Sequence, residues 1–424
     1  MASRDDVKEL AHNYLRHDSD FITFAATVST SSDQIAIAPG YLEKEWTEGG
    51  RRYFRYAMDQ PILNFFSVLS AKYAVKRDEW NGVKLEIYYQ PNHTANLDRM
   101  MGGMKDALAY CNESFGPYQH RQARILEFPR YERFAQAFPN TIPYSEAIGF
   151  IAAVDDNDPE DVDYPYYVTA HEIAHQWWAH QVIGANVRGA TMLSESMAQY
   201  SALMVMKHKY GKERMRRFLK LELDGYLRGR AFEKKKELPL AQNENQQYIH
   251  YQKGSVAMYA LQDFIGEERV NRALHKTIER WKFKGPPYPT SKDLVDAFRE
   301  ETPPSFSYLI EDLIETITLY DNRARSAKVK ANGQGGWDVT VDVLAKKLRS
   351  DDAGNQTELE FEDWIDVGAL DADGNALYTE LRKVKKGASE IQFTVPGAKK
   401  PAKVGIDPLN KLIDRTSDDN VIAP

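Results

Sequence analysis

The spacing of apolar residues changes twice along this chain of 424 residues, and these changes constrain its architecture. Residues 1–94 contain segments rich in β-branched and aromatic residues, such as FITFAATVST and VKLEIYYQP, which predict strands. Over 95–323 the apolar residues recur at intervals of three and four, as on one face of a helix. Strand patterns return over 324–424. The order predicts an α+β multidomain protein with a mainly helical region between two β regions.

The last of these regions has the pattern of a small β-sandwich. The segment GWDVTVDVLAKKL alternates apolar and polar residues, and the apolar side chains share one face: Trp337, Val339, Val341 and Val343. Further alternating segments and glycine-bearing turns follow it. We therefore place domain boundaries at 94/95 and 323/324.

The composition excludes several classes of function. A hydrophobic fraction of 42% and a charged fraction of 28% are typical of a soluble globular protein. The net charge of -7 argues against a nucleic-acid partner. We find no run of about 18 apolar residues that would span a membrane, and the first 20 residues lack the apolar stretch of a signal peptide. Cys111 is the only cysteine, so we expect a buried thiol and no intrachain disulfide.

The segment YVTAHEIAHQWWAHQ carries an H-E-x-x-H pattern on a predicted helix. Residues four apart share a helical face, so His171 and His175 can present two imidazoles to one zinc ion. Glu172 lies one step around the helix, where it can take a proton from a metal-bound water without binding the metal. The pattern therefore predicts a hydrolytic zinc site.

The same segment allows a second interpretation, an aromatic core helix that happens to carry histidines. Trp177 and Trp178 favour this in part, and we expect both to pack the helix into its domain. His180 lies five residues after His175, off the ligand face, so we expect it to be structural or solvent-facing.

A hydrolytic zinc needs a third protein ligand, and Glu195 in LSESMAQY is the candidate. It begins a second apolar helix, so it can lean toward the first. Glu213 and Glu222 are further along the chain, in charged helices that we expect to face solvent. The predicted metal ligands are therefore His171, His175 and Glu195.

An H-E-x-x-H pattern followed by a glutamate on the next helix resembles the gluzincin zinc metallopeptidases. Two of their families compete here. The 19 residues between His175 and Glu195 match the thermolysin-like endopeptidases and exceed by one the usual spacing in the aminopeptidase N family. The loop GANVRGAT contains two glycines that can absorb the additional residue. Ser194 replaces the asparagine usual before the ligand.

Two further segments resemble the aminopeptidase N family. IPYSEAIGF is similar to its exopeptidase motif, written G-A-M-E-N with a glycine three residues after the glutamate. Glu146 and Gly149 match, whereas Pro143 and its neighbours Tyr144, Ser145 and Ala147 do not. The resemblance implies that Glu146 binds the free α-amine of the substrate. HYQKG is similar to the family's Y-x-K-G segment, which implies that Tyr251 donates a hydrogen bond to the oxyanion.

The resemblance implies a zinc-dependent aminopeptidase that removes N-terminal residues from peptides by attack of a zinc-bound water, with one zinc ion as cofactor. It also implies a shortened saddle-like β domain over 1–94, a thermolysin-like catalytic domain over 95–323 and a C-terminal β-sandwich over 324–424. Two alternatives stay open: a zinc endopeptidase of thermolysin-like specificity, and a peptide-sensing domain attached to a transporter.

The zinc-helix region resembles more closely the peptidase part of bacterial proteins that join an ABC-type permease to such a domain. This implies a chain that is soluble as given and is fused to a permease in the full-length protein. The sequence leaves open whether that protein is cytoplasmic or tethered to a membrane, and on which side.

Overall fold

The computed structural model describes residues 1–158 and 161–424. These residues form two compact units, the first made of residues 1–205 and 271–300 and the second of 206–270 and 301–424. The first β-rich region, the helical middle and the later strands follow one another as predicted, so the α+β multidomain class is confirmed. The domain boundaries at 94/95 and 323/324 stay predictions.

Eight α-helices occur among the described residues. They are α1 (Leu97–Phe115), α2 (Tyr164–Ala174), α3 (Met197–Tyr210), α4 (Arg216–Ala231), α5 (Gly254–Ile265), α6 (Glu267–Trp281), α7 (Ser291–Glu301) and α8 (Tyr308–Ile310). π-helical turns span Met192–Ser196, Tyr248–Lys253 and Glu311–Glu315. Gly211 and Gly266 follow α3 and α5 with φ values of 88° and 97°, as helix-ending glycines do. None of the described helices is long and apolar enough to cross a lipid bilayer.

The first unit begins with eleven described strands. They are β1 (Phe21–Ile22), β2 (Ala25–Ser31), β3 (Ile35–Ile37), β4 (Tyr41–Glu48), β5 (Arg51–Ala57), β6 (Ile62–Leu63), β7 (Leu69–Ala71), β8 (Ala74–Trp80), β9 (Val83–Tyr89), β10 (Gln122–Phe128) and β11 (Thr141–Ser145). Strands β2, β5 and β4 form an antiparallel sheet.

A four-stranded mixed sheet in the order β11-β10-β9-β8 supports the centre of the first unit. Strands β8 and β9 are antiparallel, whereas β9, β10 and β11 run parallel to one another. Both β10 and β11 are buried along their whole length, and α1 packs against β9 on one side and α2 on the other. The buried residues of β10 include the polar side chains of Gln122, Arg124 and Glu127, so neither an apolar run nor a simple alternation marks this strand in the sequence.

The second unit combines helices with the predicted sandwich. Its described strands are β12 (Ile317–Tyr320), β13 (Arg323–Ala331), β14 (Gly336–Ala345), β15 (Lys347–Ser350), β16 (Gln356–Leu359), β17 (Glu362–Leu370), β18 (Ala376–Lys385), β19 (Gly387–Pro396), β20 (Lys403–Ile406) and β21 (Val421–Ile422). The sheet β13-β14-β19 faces the sheet β18-β17-β20-β21, and β20 of the second sheet contacts both β13 and β14 of the first.

The inner face of this sandwich carries the residues expected from the alternation on β14. Val339, Val341 and Val343 are buried, whereas Trp337 is only partly covered. One expectation for the second unit was wrong: Glu222 on α4 is buried because it lies on the apolar face of that helix.

Candidate active site

The H-E-x-x-H pattern lies at the end of a short helix rather than in the middle of a long one. Helix α2 starts after Asp163, whose side chain accepts the Tyr166 N–H as an N-cap, and it ends at Ala174. His171 and Glu172 are in its last turn, and His175 is its C-cap with helical dihedral angles. The predicted pairing of His171 and His175 on one face is therefore present, because the helical backbone extends through both.

The helix was expected to continue to Gln181, and this part of the prediction was wrong. After His175 the chain runs through turns, and Ala179 adopts a φ of 148°, a value that L-residues rarely take. Trp177 and Trp178 are fully buried as expected: the Trp177 indole N–H donates to Gly116 O, and Trp178 packs edge-on against Phe115. The aromatic interpretation is therefore confirmed for Trp177 and Trp178, whereas the role of His171 and His175 as metal ligands stays a prediction.

The turn after α2 orients one of the two imidazoles. The Nδ1 of His175 lies 2.8 Å from the carbonyl oxygen of Trp178. A carbonyl only accepts, so Nδ1 carries the hydrogen and the lone pair of neutral His175 is on Nε2. The Nε2 atoms of His171 and His175 lie 3.0 Å apart and point to the same place.

Glu195 completes a triangle of ligand atoms. Its Oε2 lies 3.2 Å from Nε2 of His175 and 3.5 Å from Nε2 of His171. Burial works against the charge of Glu195, yet the two imidazoles lower its pKa well below the ordinary value. Glu195 raises the pKa of His175 to about 9 in spite of burial. The site thus holds an anion that attracts positive charge between the two histidines.

The donor set fits a zinc ion. Ligands at about 2.0–2.1 Å from a tetrahedral zinc lie roughly 3.3–3.4 Å apart, and the three edges of this triangle are 3.0, 3.2 and 3.5 Å. Oε2 of Glu195 faces both imidazoles, so one metal ion between the three atoms could bind all of them. Two imidazoles and one carboxylate leave one of four positions open, which is typical of a catalytic site.

The spacing between His175 and Glu195 is one residue longer than is usual in the aminopeptidase N family, and a π-helical turn can accommodate that residue. Glu195 lies in the π-helical turn Met192–Ser196, directly before α3. A π-helical turn holds one residue more than an α-helical turn. This turn therefore offers a second place, besides the loop 184–191, where one additional residue can be absorbed without moving α3.

Glu172 is enclosed beside the triangle. It is 5% exposed, and its Oε2 has no hydrogen-bond partner in the part of the chain that the structure describes. Burial raises its pKa to about 7, against the opposing charge of His175. The backbone N–H of Ala137 stabilises the ionised form. A carboxyl group with a pKa near neutrality is suited to both accepting and releasing a proton.

His180 takes no part in the triangle. It is buried, and its Nε2–H donates to Ala137 O at 3.0 Å. Burial lowers its pKa to about 4, so it is neutral at physiological pH. The structural role expected for His180 is therefore observed, and the solvent-facing alternative is wrong.

The predicted exopeptidase segment begins within β11 and continues beyond its end, and a hydrogen bond connects β11 with α2. The hydroxyl of Tyr144 on β11 donates to Pro165 O, and burial together with the carboxylate of Glu172 raises the pKa of Tyr144 well above its ordinary value. A Cβ on Gly149 would lie 2.5 Å from the Tyr144 ring, so only glycine fits there. This gives Gly149, one of the two matching motif residues, a packing reason of its own.

The free edge of β11 is covered by the preceding segment, residues 134–138. The Gln136 N–H donates to Pro143 O at 3.0 Å, and the Ser145 N–H donates to Phe134 O at 3.0 Å. The sequence did not predict this pairing, because PRYERFAQAF has no strand pattern. The carbonyl of Pro143, at the first motif position, is thus already engaged within the chain.

Glu146 follows the last residue of β11 and is partly exposed, with the guanidinium of Arg130 and the imidazole of His93 around it. Its Oε1 accepts the Arg130 backbone N–H at 3.2 Å and is 3.7 Å from Nε of Arg130. Its Oε2 is 3.8 Å from Nδ1 of His93, which also bonds Glu127. No local pattern in the sequence indicates His93 or Glu127, since the sheet alone brings them near Glu146. The structure therefore shows that Glu146 can hold a cation.

Tyr251 belongs to the second unit. It lies in the π-helical turn Tyr248–Lys253, and its carbonyl accepts the hydroxyl of Ser255 at 2.7 Å. Lys253 of the same segment is buried and donates to Thr316 O, and burial lowers its pKa to about 8. The role of Tyr251 stays a prediction.

Comparisons with known proteins agree with this geometry. The profile of the peptidase family M1 domain matches residues 100–316, slightly more than half of the chain. Human endoplasmic reticulum aminopeptidase 2 is 22% identical over 219 residues, which are 48% of this chain and 22% of that protein.

Solved structures show the same fold. An aminopeptidase A of Legionella pneumophila, in complex with aspartic acid, aligns with a TM-score of 0.62 at 16% identity, over 94% of this chain and 45% of that one. A mutant M1 zinc metallopeptidase of Deinococcus radiodurans, bound to a Tyr-Ser-Ala substrate, aligns with a TM-score of 0.55 at 18% identity, over 70% of this chain and 65% of that one. The chain thus spans about a fifth to two thirds of the relatives it matches.

The family match includes all three residues of the ligand triangle, Glu172 and Glu146, and it agrees with the resemblance in the sequence. The chain belongs to peptidase family M1, the aminopeptidase N family.

Proposed function

We propose that this chain is a zinc-dependent aminopeptidase that hydrolyses the N-terminal residue from peptides. The observation that carries the proposal is the triangle of His171 Nε2, His175 Nε2 and Glu195 Oε2, with the enclosed carboxyl group of Glu172 next to it. The distances between these three ligand atoms suit a tetrahedral zinc ion, and three protein ligands leave its fourth position open for the reacting groups. The names of the relatives, which are aminopeptidases and a zinc metallopeptidase, support the same activity.

Zinc, when bound by the three ligands, supplies Lewis acidity for the scissile carbonyl and for a water molecule. Glu172 then acts as the base that takes the proton of the attacking water and returns it to the leaving amine. Its burial serves this role, because a buried carboxylate holds a proton more strongly than an exposed one. The Trp178 carbonyl keeps His175 in the tautomer that a metal ligand requires.

Glu146 gives the proposed exopeptidase specificity. An ammonium group at the substrate N-terminus would compete with Arg130 and His93 for its carboxylate. Arg130 is 71% exposed, so its ion pair is weak and easily exchanged. In this proposal Tyr251 donates a hydrogen bond to the oxyanion that develops during attack.

A pair of peptides tests the proposal directly. The two peptides have one sequence and differ only in acetylation of the N-terminus, and their cleavage is followed by mass spectrometry. We expect release of the first residue from the free peptide and no cleavage of the acetylated one. Equal cleavage of both peptides at an internal bond would contradict the proposal.

A substitution of the amine anchor adds a second criterion. Glu146→Gln removes a charge-assisted contact worth about 1.5–3 kcal/mol, so kcat/KM for the free peptide should fall roughly 10- to 150-fold. Glu132→Gln is the matched control. Glu132 is an exposed glutamate in the nearby segment PRYERFAQAF, so this substitution should leave kcat/KM unchanged.

One observation favours the endopeptidase alternative. The edge of β11 is covered by the chain itself, and Glu146 already pairs with Arg130 and His93. If these pairs outcompete the substrate ammonium, the acetylated peptide is cleaved and Glu146→Gln has no effect. The same two experiments therefore discriminate the two peptidase activities.

A further inference from the structure

The first residues of the chain are bound to the loop that joins the two parts of the metal site. The Tyr14 N–H donates to Gly184 O at 3.1 Å, and the Asn186 N–H donates to His12 O at 2.8 Å. Residues 184–191 lead from the turn after α2 to the π-helical turn that carries Glu195. The path between the second and third metal ligands is therefore held by a segment far away in sequence.

Apolar contacts reinforce this attachment. Tyr14 and Leu10 pack against one cluster of buried residues: Leu63, Ala179, Ile183, Ala185, Val187 and Tyr288. Two of its six members, Ala185 and Val187, belong to the loop itself. Tyr14 is thus fixed both by a backbone hydrogen bond and by its ring.

The hydroxyl of Tyr14 reaches the residue directly before the third ligand. It lies 2.8 Å from Oγ of Ser194, whose side chain is fully buried. Burial and the carboxylate of Glu195 both raise the pKa of Tyr14, so its hydroxyl is within electrostatic range of the ligand. Ser194 stands where the family usually has an asparagine, and Tyr14 supplies a hydrogen-bonding group at that position.

We propose that Tyr14 is a positioning residue for the metal site, acting through Ser194 to hold the π-helical turn that presents Glu195. This inference rests on the proposed zinc site. Without the hydroxyl bond, the turn has more freedom and Oε2 of Glu195 is found less often at the correct distance from the two imidazoles. Groups that hydrogen-bond directly to a metal ligand change metal affinity about 10- to 100-fold, and we expect an effect of the same order from a group that holds the residue next to the ligand.

The experiment measures zinc affinity by competition with a chromophoric chelator, in the absence of substrate. Tyr14→Phe removes only the hydroxyl and should weaken zinc binding 10- to 100-fold. Ser194→Ala removes the other partner and should weaken it to a similar degree. Because both variants break one interaction, the double variant should bind zinc no more weakly than the weaker of the two single variants.

Tyr288→Phe is the matched control. Tyr288 is in the same apolar cluster, and its hydroxyl bonds Asp20 at 2.6 Å, away from Ser194. Loss of the Tyr288 hydroxyl should leave the zinc affinity within twofold of the wild-type value. Equal affinities for wild type, Tyr14→Phe and Ser194→Ala would overturn the inference. Failure of the wild-type protein to bind zinc is a different result, and it overturns the proposed metal site as well.

Discussion

Replacing Glu172 with glutamine separates the chemistry of the site from its stability. The change is nearly isosteric, but glutamine accepts no proton at physiological pH. Loss of a general base typically costs 10²- to 10⁴-fold in rate, so we expect kcat to fall by about that factor, or roughly 3–5 kcal/mol of transition-state stabilisation. Zinc binding should persist, because Glu172 is not one of the three ligands.

The same substitution should stabilise the metal-free protein. Burial raises the pKa of Glu172 from 4.5 to about 7, a shift of 7 − 4.5 = 2.5. At about 1.4 kcal/mol for each pKa unit, ionisation of this group costs the folded state about 3 kcal/mol. Because the folded pKa is raised, the favourable contribution is complete below pH 4.5 and is lost as the pH rises through about 7. Glutamine does not titrate, so its advantage should grow with pH.

Urea unfolding with chelator present measures this effect. The free energy of unfolding of Glu172→Gln should match that of the wild type near pH 4.5 and exceed it by up to about 3 kcal/mol at pH 8. Glu132→Gln should show no such dependence, because Glu132 is exposed. A Glu172→Gln variant that is inactive yet less stable than the wild type at pH 8 would refute the reasoning about burial.

Three other predictions concern residues outside the ligand triangle. Tyr251→Phe should lower kcat by about 10²- to 10³-fold with little change in KM, as measured by steady-state kinetics; an unchanged kcat would remove the oxyanion role. The side chain of Lys411 is 1% exposed and pairs with Asp263 and Asp366 at 2.5 Å each. Lys411→Met leaves these buried carboxylates without their cation, so it should lower the free energy of unfolding by about 3–5 kcal/mol, and an unchanged value in urea unfolding would contradict this. Burial lowers the pKa of His120 from 6.5 to about 3, so the folded state favours the neutral imidazole, and its contribution to the free energy of unfolding is complete above pH 6.5 and lost as the pH falls toward 3. Between pH 7 and pH 5 the free energy of unfolding of the wild type, measured in urea, should therefore fall by about 2 kcal/mol more than that of His120→Gln.

The cluster of His171, His175 and Glu195 could be predicted because its residues are close in sequence and helical periodicity relates the two histidines. The spacing of His171 and His175 fixes their direction once the segment is helical, and Glu195 opens the next helix. The end of α2 at Ala174 could not be predicted, since the next residues keep the composition of a helix. What ends it is tertiary: Trp178 packs on Phe115, and the Trp178 carbonyl accepts the Nδ1–H of the His175 ring.

The surroundings of Glu146 and Ser194 depend on contacts between distant segments. His93 reaches Glu146 because β9 and β11, which precede them, both run parallel to β10 on its two sides, and no local pattern indicates this. Tyr14 reaches Ser194 across 180 positions of sequence. Periodicity arguments describe one element at a time, so they identified the ligands and left out the groups that support them.

The account as a whole is tested most directly by the metal dependence of exopeptidase turnover. The purified chain is assayed on a panel of aminoacyl-arylamides as isolated, after removal of metal by a chelator, and after zinc is restored. Zinc per chain is measured at each stage by atomic spectroscopy. We predict one zinc per chain, loss of arylamide hydrolysis with loss of zinc, and recovery on its return. Hydrolysis that continues in zinc-free protein, or a zinc-loaded chain that cleaves none of the panel, would contradict the account.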